Sequence, residues 1–543
     1  MRSVPVPFAA VWQNDRPLYG LLALALFVGF FYQLGAVPLF DLDEGAFSQA
    51  TREMFLRGDF VSTYLNGQPR YDKPILSYWL QAASVTAFGV NEFAFRLPSA
   101  LAATAWTLLV FLFVRRVGDA RRALLAALSM ASSLAVTVIG KAATADALLN
   151  LLLAASLLSL YLHLLEGRRV WLYASAAATG LGFLTKGPVA LVIPAGVSLL
   201  YCLSRGEWRA WLRLAADWRA WAVFLLIAAP WYVVQYLREG GDFLQSFLLR
   251  HNLGRFQRPL EGHGGGWWYY ILVLLVGVLP YTTVLLRVLA RSRRLFADPL
   301  ARYLLIWFGL VFVLFSLAAT KLPHYLIYGY TGLFVLMAPE LEKPGPIGWL
   351  LLPQLLFLGL LLILPGLVEI ALPRVRDELV RTQLEGLAFA PAYYALLAAA
   401  LALTLYFMRE RRVPPACKII ASGLLLVFLV SNQVLPTVAA VLQQPVKDAG
   451  LLARQYERAP VMWGVNLPSF SVYSGRIAER REPCPGDLVL TRSARLPMLG
   501  VHELLYHRHG IALARLPPAR GDDEAAIPAP AAATCSANAE VAP

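Results

Sequence analysis

The sequence predicts an all-α polytopic membrane protein of about thirteen transmembrane helices, with a small α/β domain near its C-terminal end. Two observations carry that prediction. The first is run length: 58% of the 543 residues are hydrophobic, and they gather in stretches matching the roughly 20 residues a helix needs to cross a bilayer. The second is the placement of charge. The net +14 is concentrated in alternate connections, the arrangement that keeps basic loops on the cytoplasmic side.

The spans are expected near 17–38, 94–114, 121–140, 147–165, 170–185, 187–204, 219–237, 268–290, 299–319, 324–340, 347–368, 389–408 and 416–437. The basic connections are RRVGDARR (115–122), 166–169, 205–219, RVLARSRR (287–294), Lys343 and RERRVPPACK (409–418). Loops of this kind stay in the cytoplasm, which puts the N-terminus there and the other connections, with the C-terminus, outside. Topology therefore absorbs the basic excess, and a nucleic-acid partner is not expected. The first apolar run, 21–31, continues to Phe40 without a small-residue cleavage site, so it reads as a retained helix.

Three outward segments are long: 39–93, 238–267 and 438–543. The first holds two amphipathic stretches, about 43–57 and 74–88, split by a turn signal at Asn66-Gly67 and Pro69. Helices of that kind are expected to lie on the membrane surface. The second is polar and leads into the aromatic cluster 267–270, which suits a membrane interface. The third has short apolar runs at 461–465 and 488–490 between Pro and Gly. It is expected to fold as a small α/β domain over 438–516, after a transmembrane domain of 1–437. The Ala- and Pro-rich tail 517–543 is expected to be disordered. Cys202 and Cys417 fall near cytoplasmic helix ends, whereas Cys484 and Cys535 are outward and form a candidate disulfide pair.

Asp41-Leu42-Asp43-Glu44 opens the first amphipathic stretch. Asp41 with Glu44 three residues on has the form of a capping box, which leaves Asp43 over. Asp43 falls on the stripe of Phe47, Ala50 and Met54, where a carboxylate at the membrane edge is costly unless partnered. Spacing alone leaves a structural and a functional role equally open. In YDKPILSYW (71–79), Pro74 suits the first turn of a helix, so Asp72 and Lys73 stand at its N-terminus. Such a place attracts anions, a lipid phosphate among them. The plain alternative is that Lys73 snorkels to lipid head groups.

Lys141 and Asp146 (GKAATAD), Lys186 (TKGPVA) and Lys321 (TKLPHY) also stand at outward helix ends. Singly, each only anchors a helix; together they suggest one site for an anionic ligand, joined by His251, Arg255 and His263 from the second outward segment. No GxxxxGK[ST] loop, GxGxxG after a strand, or HExxH occurs, so an activating group would arrive as a lipid phosphate rather than a nucleotide.

Seven segments carry a resemblance. They are DEGAFSQATREMFLRGDF (43–60), YDKPILSYW (71–79), TADALL (144–149), FLTKGPVALVIP (183–194), RHNLGRF (250–256), GHGGGWWYY (262–270) and KLPHYLIY (321–328). In that order they resemble the superfamily of lipid-A aminoarabinose transferases and protein O-mannosyltransferases, membrane glycosyltransferases of the GT-C fold. The resemblance implies that Asp43 is the essential acid and that Lys73 binds the donor phosphate, assisted by Arg255 and Tyr325. It places Asp146, His251, His263, Tyr71 and Lys321 around the same cavity. It also implies an inverting transferase in a bacterial inner membrane, with its active site on the periplasmic face. The donor would be undecaprenyl phosphate carrying 4-amino-4-deoxy-L-arabinose, and the acceptor lipid A, with protein as the alternative acceptor.

No cofactor is required by that scheme, although Asp72 with His263 is a candidate pair for a divalent metal. Three departures bear on the sugar. Gly45, Ala46 and Phe47 stand where Arg and Tyr often follow the acid pair, Arg250 stands where an acid often precedes the histidine, and Asp72 replaces a common Glu. A transporter or flippase is the non-enzyme alternative. It would place charges near the bilayer midplane, whereas here they gather at helix ends.

Overall fold

The computed structural model describes residues 16–247, 254, 265–266, 268–343 and 345–518. The chain divides into two compact units: Met1–Leu34 with Tyr71–Leu362 and Pro391–Gln433, and Gly35–Arg70 with Ile363–Ala390 and Val434–Pro543. The expected tail from residue 519, with Cys535, lies outside the described residues; Cys484 is disulfide-bonded, and Cys202 and Cys417 are in no disulfide.

Among the described residues, seven helices are long and apolar enough to cross a membrane: Glu92–Val117, Asp146–Glu166, Trp218–Phe243, Pro299–Leu317, Ile347–Arg374, Pro391–Arg409 and Pro415–Leu442. Ala120–Ala131 and Leu134–Lys141, bent by 64°, make an eighth when taken as one broken span. The chain is a multi-pass membrane protein. Every stretch expected to span holds helix, but several are short or interrupted. The stretch 268–290 is two helices, Tyr269–Gly277 and Thr282–Ala290, with Pro280 between them, where the missing N–H and the ring oppose continuation. The stretch 324–340 opens as a 3-10 turn, Pro323–Gly329, before the helix Tyr330–Leu341. Gly187, at φ +72°, separates Arg169–Lys186 from Val189–Ser204.

The first unit is built on close helix packing with aromatic anchors. Residues 123–131 of the helix Ala120–Ala131 are all buried, and their small side chains let neighbouring backbones approach. Trp106 and Trp307 are fully buried. Their indoles donate to Thr331 Oγ1 and to the Tyr328 carbonyl, each at 2.8 Å, so neither ring leaves a polar atom unmatched.

The arginine-rich loops of this unit are tied to one another. Arg116 pairs with Glu166 at 2.8 Å, Arg122 with Glu342 at 3.0 Å, and Arg291 and Lys343 both with Glu340. These pairs bring four of the expected cytoplasmic connections to a common face. The helix Asp146–Glu166 runs away from that face for 21 residues, about 30 Å at the helical rise. Its Asp146 end is thus at the opposite face.

The helix Leu76–Phe88 is inside-out. Trp79, Leu80 and Phe88 are exposed, while Ser77, Gln81 and Ser84 are buried. Gln81 donates to the Phe95 and Ala143 carbonyls and Ser84 to that of Ala94. An apolar outer face suits a helix bathed in lipid.

The second unit holds a hairpin, β1 (Tyr64–Leu65) with β2 (Gln68–Pro69), and a five-stranded sheet. The sheet strands are β3 (Pro460–Met462), β4 (Glu479–Arg480), β5 (Leu488–Arg492), β6 (Glu503–Arg508) and β7 (Ile511–Arg515), in the order β4-β3-β5-β7-β6. β3 runs parallel to β4 and β5; β7 is antiparallel to β5 and β6. The helix Pro468–Ser474 lies on the connection from β3 to β4. Buried Val446, Phe470, Leu488, Leu490 and Leu513 share one core with Met462.

The helix Asp43–Arg57 also belongs to this unit. Its polar side is not solvent-facing, as an amphipathic stretch leads one to expect: its residues from Glu44 to Met54 are all buried. Its polar side chains are matched internally. Glu53, fully buried, accepts the amides of Asn66 at 2.6 Å and Gly67 at 3.2 Å, which fixes the turn between β1 and β2. Arg52 donates to the Ser471 carbonyl at 3.2 Å and to that of Gly475.

Candidate active site

In the first unit the site is organised by helix ends. Asp146 opens the helix Asp146–Glu166, and Lys186 closes the helix Arg169–Lys186. The Lys186 ammonium lies 2.6 Å from Asp146 Oδ1 and donates to the Tyr328 hydroxyl at 2.7 Å. Tyr328 in turn donates to Asp146 Oδ1 at 2.6 Å, and His324 Nε2 is 3.9 Å from the same oxygen. The cation also lies 5.2 Å from the centre of the Tyr325 ring and 5.4 Å from that of Tyr328. Burying an ion pair is costly unless hydrogen bonds complete it; here the Tyr328 phenol does so, bonding both partners. The 3-10 turn Pro323–Gly329 supplies His324, Tyr325 and Tyr328 together, since a three-residue period keeps closely spaced side chains on one side.

Tyr71, Asp72 and Lys73 precede the helix Leu76–Phe88, which starts two residues beyond Pro74 rather than at it. Lys73 Nζ donates to Asp72 Oδ2 at 3.0 Å, and both side chains are mostly covered. The Tyr71 hydroxyl donates to Glu239 Oε2 at 2.7 Å and its ring meets Phe243 edge-on. Phe243 stacks on Phe247, whose ring fills the space where a Cβ on Gly187 would stand, 2.4 Å away. An aromatic chain thus joins the Tyr71 segment to the residue next to Lys186.

Lys321 points elsewhere. Its ammonium donates to the Ser316 and Ala318 carbonyls at 2.7 and 3.1 Å, satisfying the end of the helix Pro299–Leu317. Arg255, His251 and His263 lie outside the described residues. No group of three metal-ligating side chains occurs among the described residues, and of the candidate metal pair Asp72 is engaged by Lys73.

In the second unit, the roles of the paired acids invert the reading from spacing. Asp43 is exposed and has no side-chain partner among the described residues, so no desolvation cost falls on it. The partnered acid is Asp41, which is half-buried. It does not cap its own helix, whose N-cap is Leu42; its carboxylate accepts the Ser469 amide at 3.0 Å and hydroxyl at 2.5 Å. Glu44 accepts the Phe40 amide at 2.8 Å, not the Asp41 amide that the expected box requires. Burial pushes the Asp41 carboxyl up to about 7, against the lowering effect of the Ser469 bonds.

Residues 72–233 match the family described as dolichyl-phosphate-mannose-protein mannosyltransferase. An uncharacterized protein of Aquifex aeolicus is 33% identical over 324 residues, covering 60% of this chain and 73% of that one. The undecaprenyl phosphate-alpha-4-amino-4-deoxy-L-arabinose arabinosyl transferase of Aeromonas hydrophila is 35% identical over 336 residues, 60% of this chain and 60% of its own length. ArnT from Cupriavidus metallidurans, solved bound to undecaprenyl phosphate, shares the fold with a TM-score of 0.76 at 21% identity, covering 92% of this chain and 98% of that one. The chain thus shares the fold of that ArnT structure and is similar in sequence to transferases that use polyprenyl-phosphate carriers.

Three residues were not singled out by sequence reasoning: Tyr328 and His324 beside Asp146, and Glu239 beside Tyr71. The KLPHYLIY segment held the first two. Glu239 offered only a lone acid near the end of an apolar helix. Ser469 had no signal at all, because its partner Asp41 is 428 positions away.

Proposed function

We infer that this protein moves 4-amino-4-deoxy-L-arabinose from undecaprenyl phosphate to lipid A at the periplasmic face of a bacterial inner membrane. The observation that carries the reading is the 35% identity, over 336 residues, to a transferase named for that carrier and that sugar. With the paired arginine loops in the cytoplasm, Asp146 and Lys186 stand on the periplasmic side.

In the reaction the anomeric C–O bond breaks while an acceptor oxygen attacks from the opposite face, inverting the centre and releasing undecaprenyl phosphate. Lys73, with Arg255 and Tyr325, stabilises the negative charge as it grows on the leaving phosphate. Asp43 takes the proton of a hydroxyl acceptor. With a phosphate acceptor there is no proton to remove, and Asp43 orients the acceptor or stabilises positive charge at the anomeric carbon. The Asp146–Lys186 pair holds the Tyr325 and Tyr328 rings in place beside the cation.

A second reading, transfer to protein, draws on the match of residues 72–233 to the mannosyltransferase family. The deciding assay supplies purified protein in liposomes with the lipid-linked aminosugar and either lipid A or a periplasmic peptide extract. Labelled lipid A supports the first reading, and labelled peptide alone supports the second. Transfer to neither removes the enzyme reading, and full activity in Asp43→Asn removes the role given to Asp43.

A further inference from the structure

The helix Asp43–Arg57 carries the acid on which the proposed reaction depends, yet no side chain of its own caps its first turn. Order comes from the other end of the sequence, within the second unit. The Asp41 carboxylate accepts both the amide and the hydroxyl of Ser469, a residue with no exposed surface. The Asp41 amide donates to the Gln443 side chain at 3.3 Å, and the Leu39 amide to the Tyr473 hydroxyl at 2.7 Å. Gly45 makes this approach feasible. A Cβ there would stand 1.9 Å from Asp41 Oδ1 and 2.7 Å from the Ser469 nitrogen. Arg52 meanwhile binds the carbonyls of Ser471 and Gly475. An acid at one end and a base at the other therefore grip the same short helix, Pro468–Ser474, and hold the segment 41–52 in register against it.

We propose that Asp41 is a positioning residue: its bonds to Ser469 fix the backbone of residues 41–45 and so aim the Asp43 carboxylate at the acceptor. The role rests on the transferase reading of Asp43. Its lever is short, since two residues separate the clamp from the acid. Misplacing a reacting group by about 1 Å is enough to lose on the order of a hundredfold in rate. A group that only stabilised the fold would change the amount of active protein, not the turnover of the molecules that fold.

The test compares Asp41→Ala, Asp41→Asn and wild type, each full length and reconstituted in liposomes, by transfer kinetics and by amide exchange. Asn keeps an oxygen that accepts the Ser469 amide, whereas Ala keeps none. Asp41→Ala is expected to lower kcat about tenfold to a hundredfold with KM for the lipid-linked sugar unchanged. It is also expected to speed exchange at Gly45 and Ala46, whose amides bond the Phe40 and Leu42 carbonyls at 3.2 and 2.9 Å, by about tenfold or more. Asp41→Asn should stay near wild type in both. Wild-type kcat and exchange in Asp41→Ala would overturn the proposal, as would an equal kcat loss in Asp41→Asn, which would make the charge rather than the clamp decisive. If wild type transfers no sugar, the enzyme reading fails and takes the positioning role with it. A defect confined to neither variant, in an active wild type, removes the positioning role alone.

Discussion

Asp146 and Lys186 meet at 2.6 Å from the ends of consecutive helices, and the Tyr328 hydroxyl shares the same carboxylate oxygen at 2.6 Å. Both charged side chains are almost entirely covered. Their attraction is therefore little screened, but neither charge tolerates losing the other.

Replacing Asp146 alone should be severe. Asp146→Asn leaves the Lys186 ammonium buried against two phenol rings, and breaking a buried pair in this way typically costs about 3–5 kcal/mol. Removing both charges, as in Asp146→Leu with Lys186→Met, should recover much of that loss. Thermal unfolding in detergent checks both outcomes. An unaltered midpoint in Asp146→Asn would mean that the pair contributes nothing to the fold.

Gly45→Ala should fail for a steric reason, not a conformational one. The added methyl would overlap Asp41 Oδ1 and press on the Ser469 backbone, and overpacking of this kind costs about 1–3 kcal/mol. Pairing it with Asp41→Ala removes one of the two clashing atoms, so the double variant should be less destabilised than the sum of the singles. A double-mutant cycle on unfolding midpoints measures that coupling.

What could be read in advance followed from local pattern. Glu92–Val117 and Asp146–Glu166 begin and end within a few residues of their expected spans, because an uninterrupted apolar run leaves a helix no alternative in lipid. The GT-C fold follows from such runs and the motifs between them. The broken spans were harder. Pro280 signals a break, but nothing local shows that residues 323–329 wind as a 3-10 turn and deliver two side chains to Asp146 and a third to Lys186. Which of the acids at 41 and 43 finds a partner was hidden for the same reason: it depends on Ser469, and no periodicity reaches that far. A buried helix at 43–57 was equally hidden, since Arg52 and Glu53 look like solvent-facing charges until Gly475 and Asn66 are placed beside them.

Stability should depend on pH through Asp41. Its folded value, about 7, lies above the ordinary 3.8, the reverse of a carboxylate held by a cation. Between those values the folded chain keeps a proton that the unfolded chain has released, so the unfolding free energy falls as pH rises. The contribution is complete below about pH 4 and gone above about 7. Unfolding midpoints of wild type should therefore drop more steeply across that window than those of Asp41→Asn, which has no proton to lose. Parallel profiles for the two proteins would show that the Asp41 carboxyl is not desolvated.

Lys73→Ala separates a ligand-binding cation from a structural one. Lys73 bonds Asp72 at 3.0 Å with only 12% of its side chain exposed, an arrangement that serves equally to fold the segment or to hold a poised charge before a helix. If Lys73 grips the donor phosphate, losing one charge-assisted bond of about 1.5–3 kcal/mol weakens binding of undecaprenyl phosphate roughly ten- to a hundredfold. Asp72→Asn would then leave affinity intact or raise it, because the competing carboxylate charge is gone. If Lys73 only neutralises Asp72, both substitutions should disturb the segment alike and affinity should follow folding. Intrinsic tryptophan fluorescence titrated with undecaprenyl phosphate in detergent distinguishes the cases: opposite effects of the two substitutions assign Lys73 to the phosphate, and matching losses assign it to the fold.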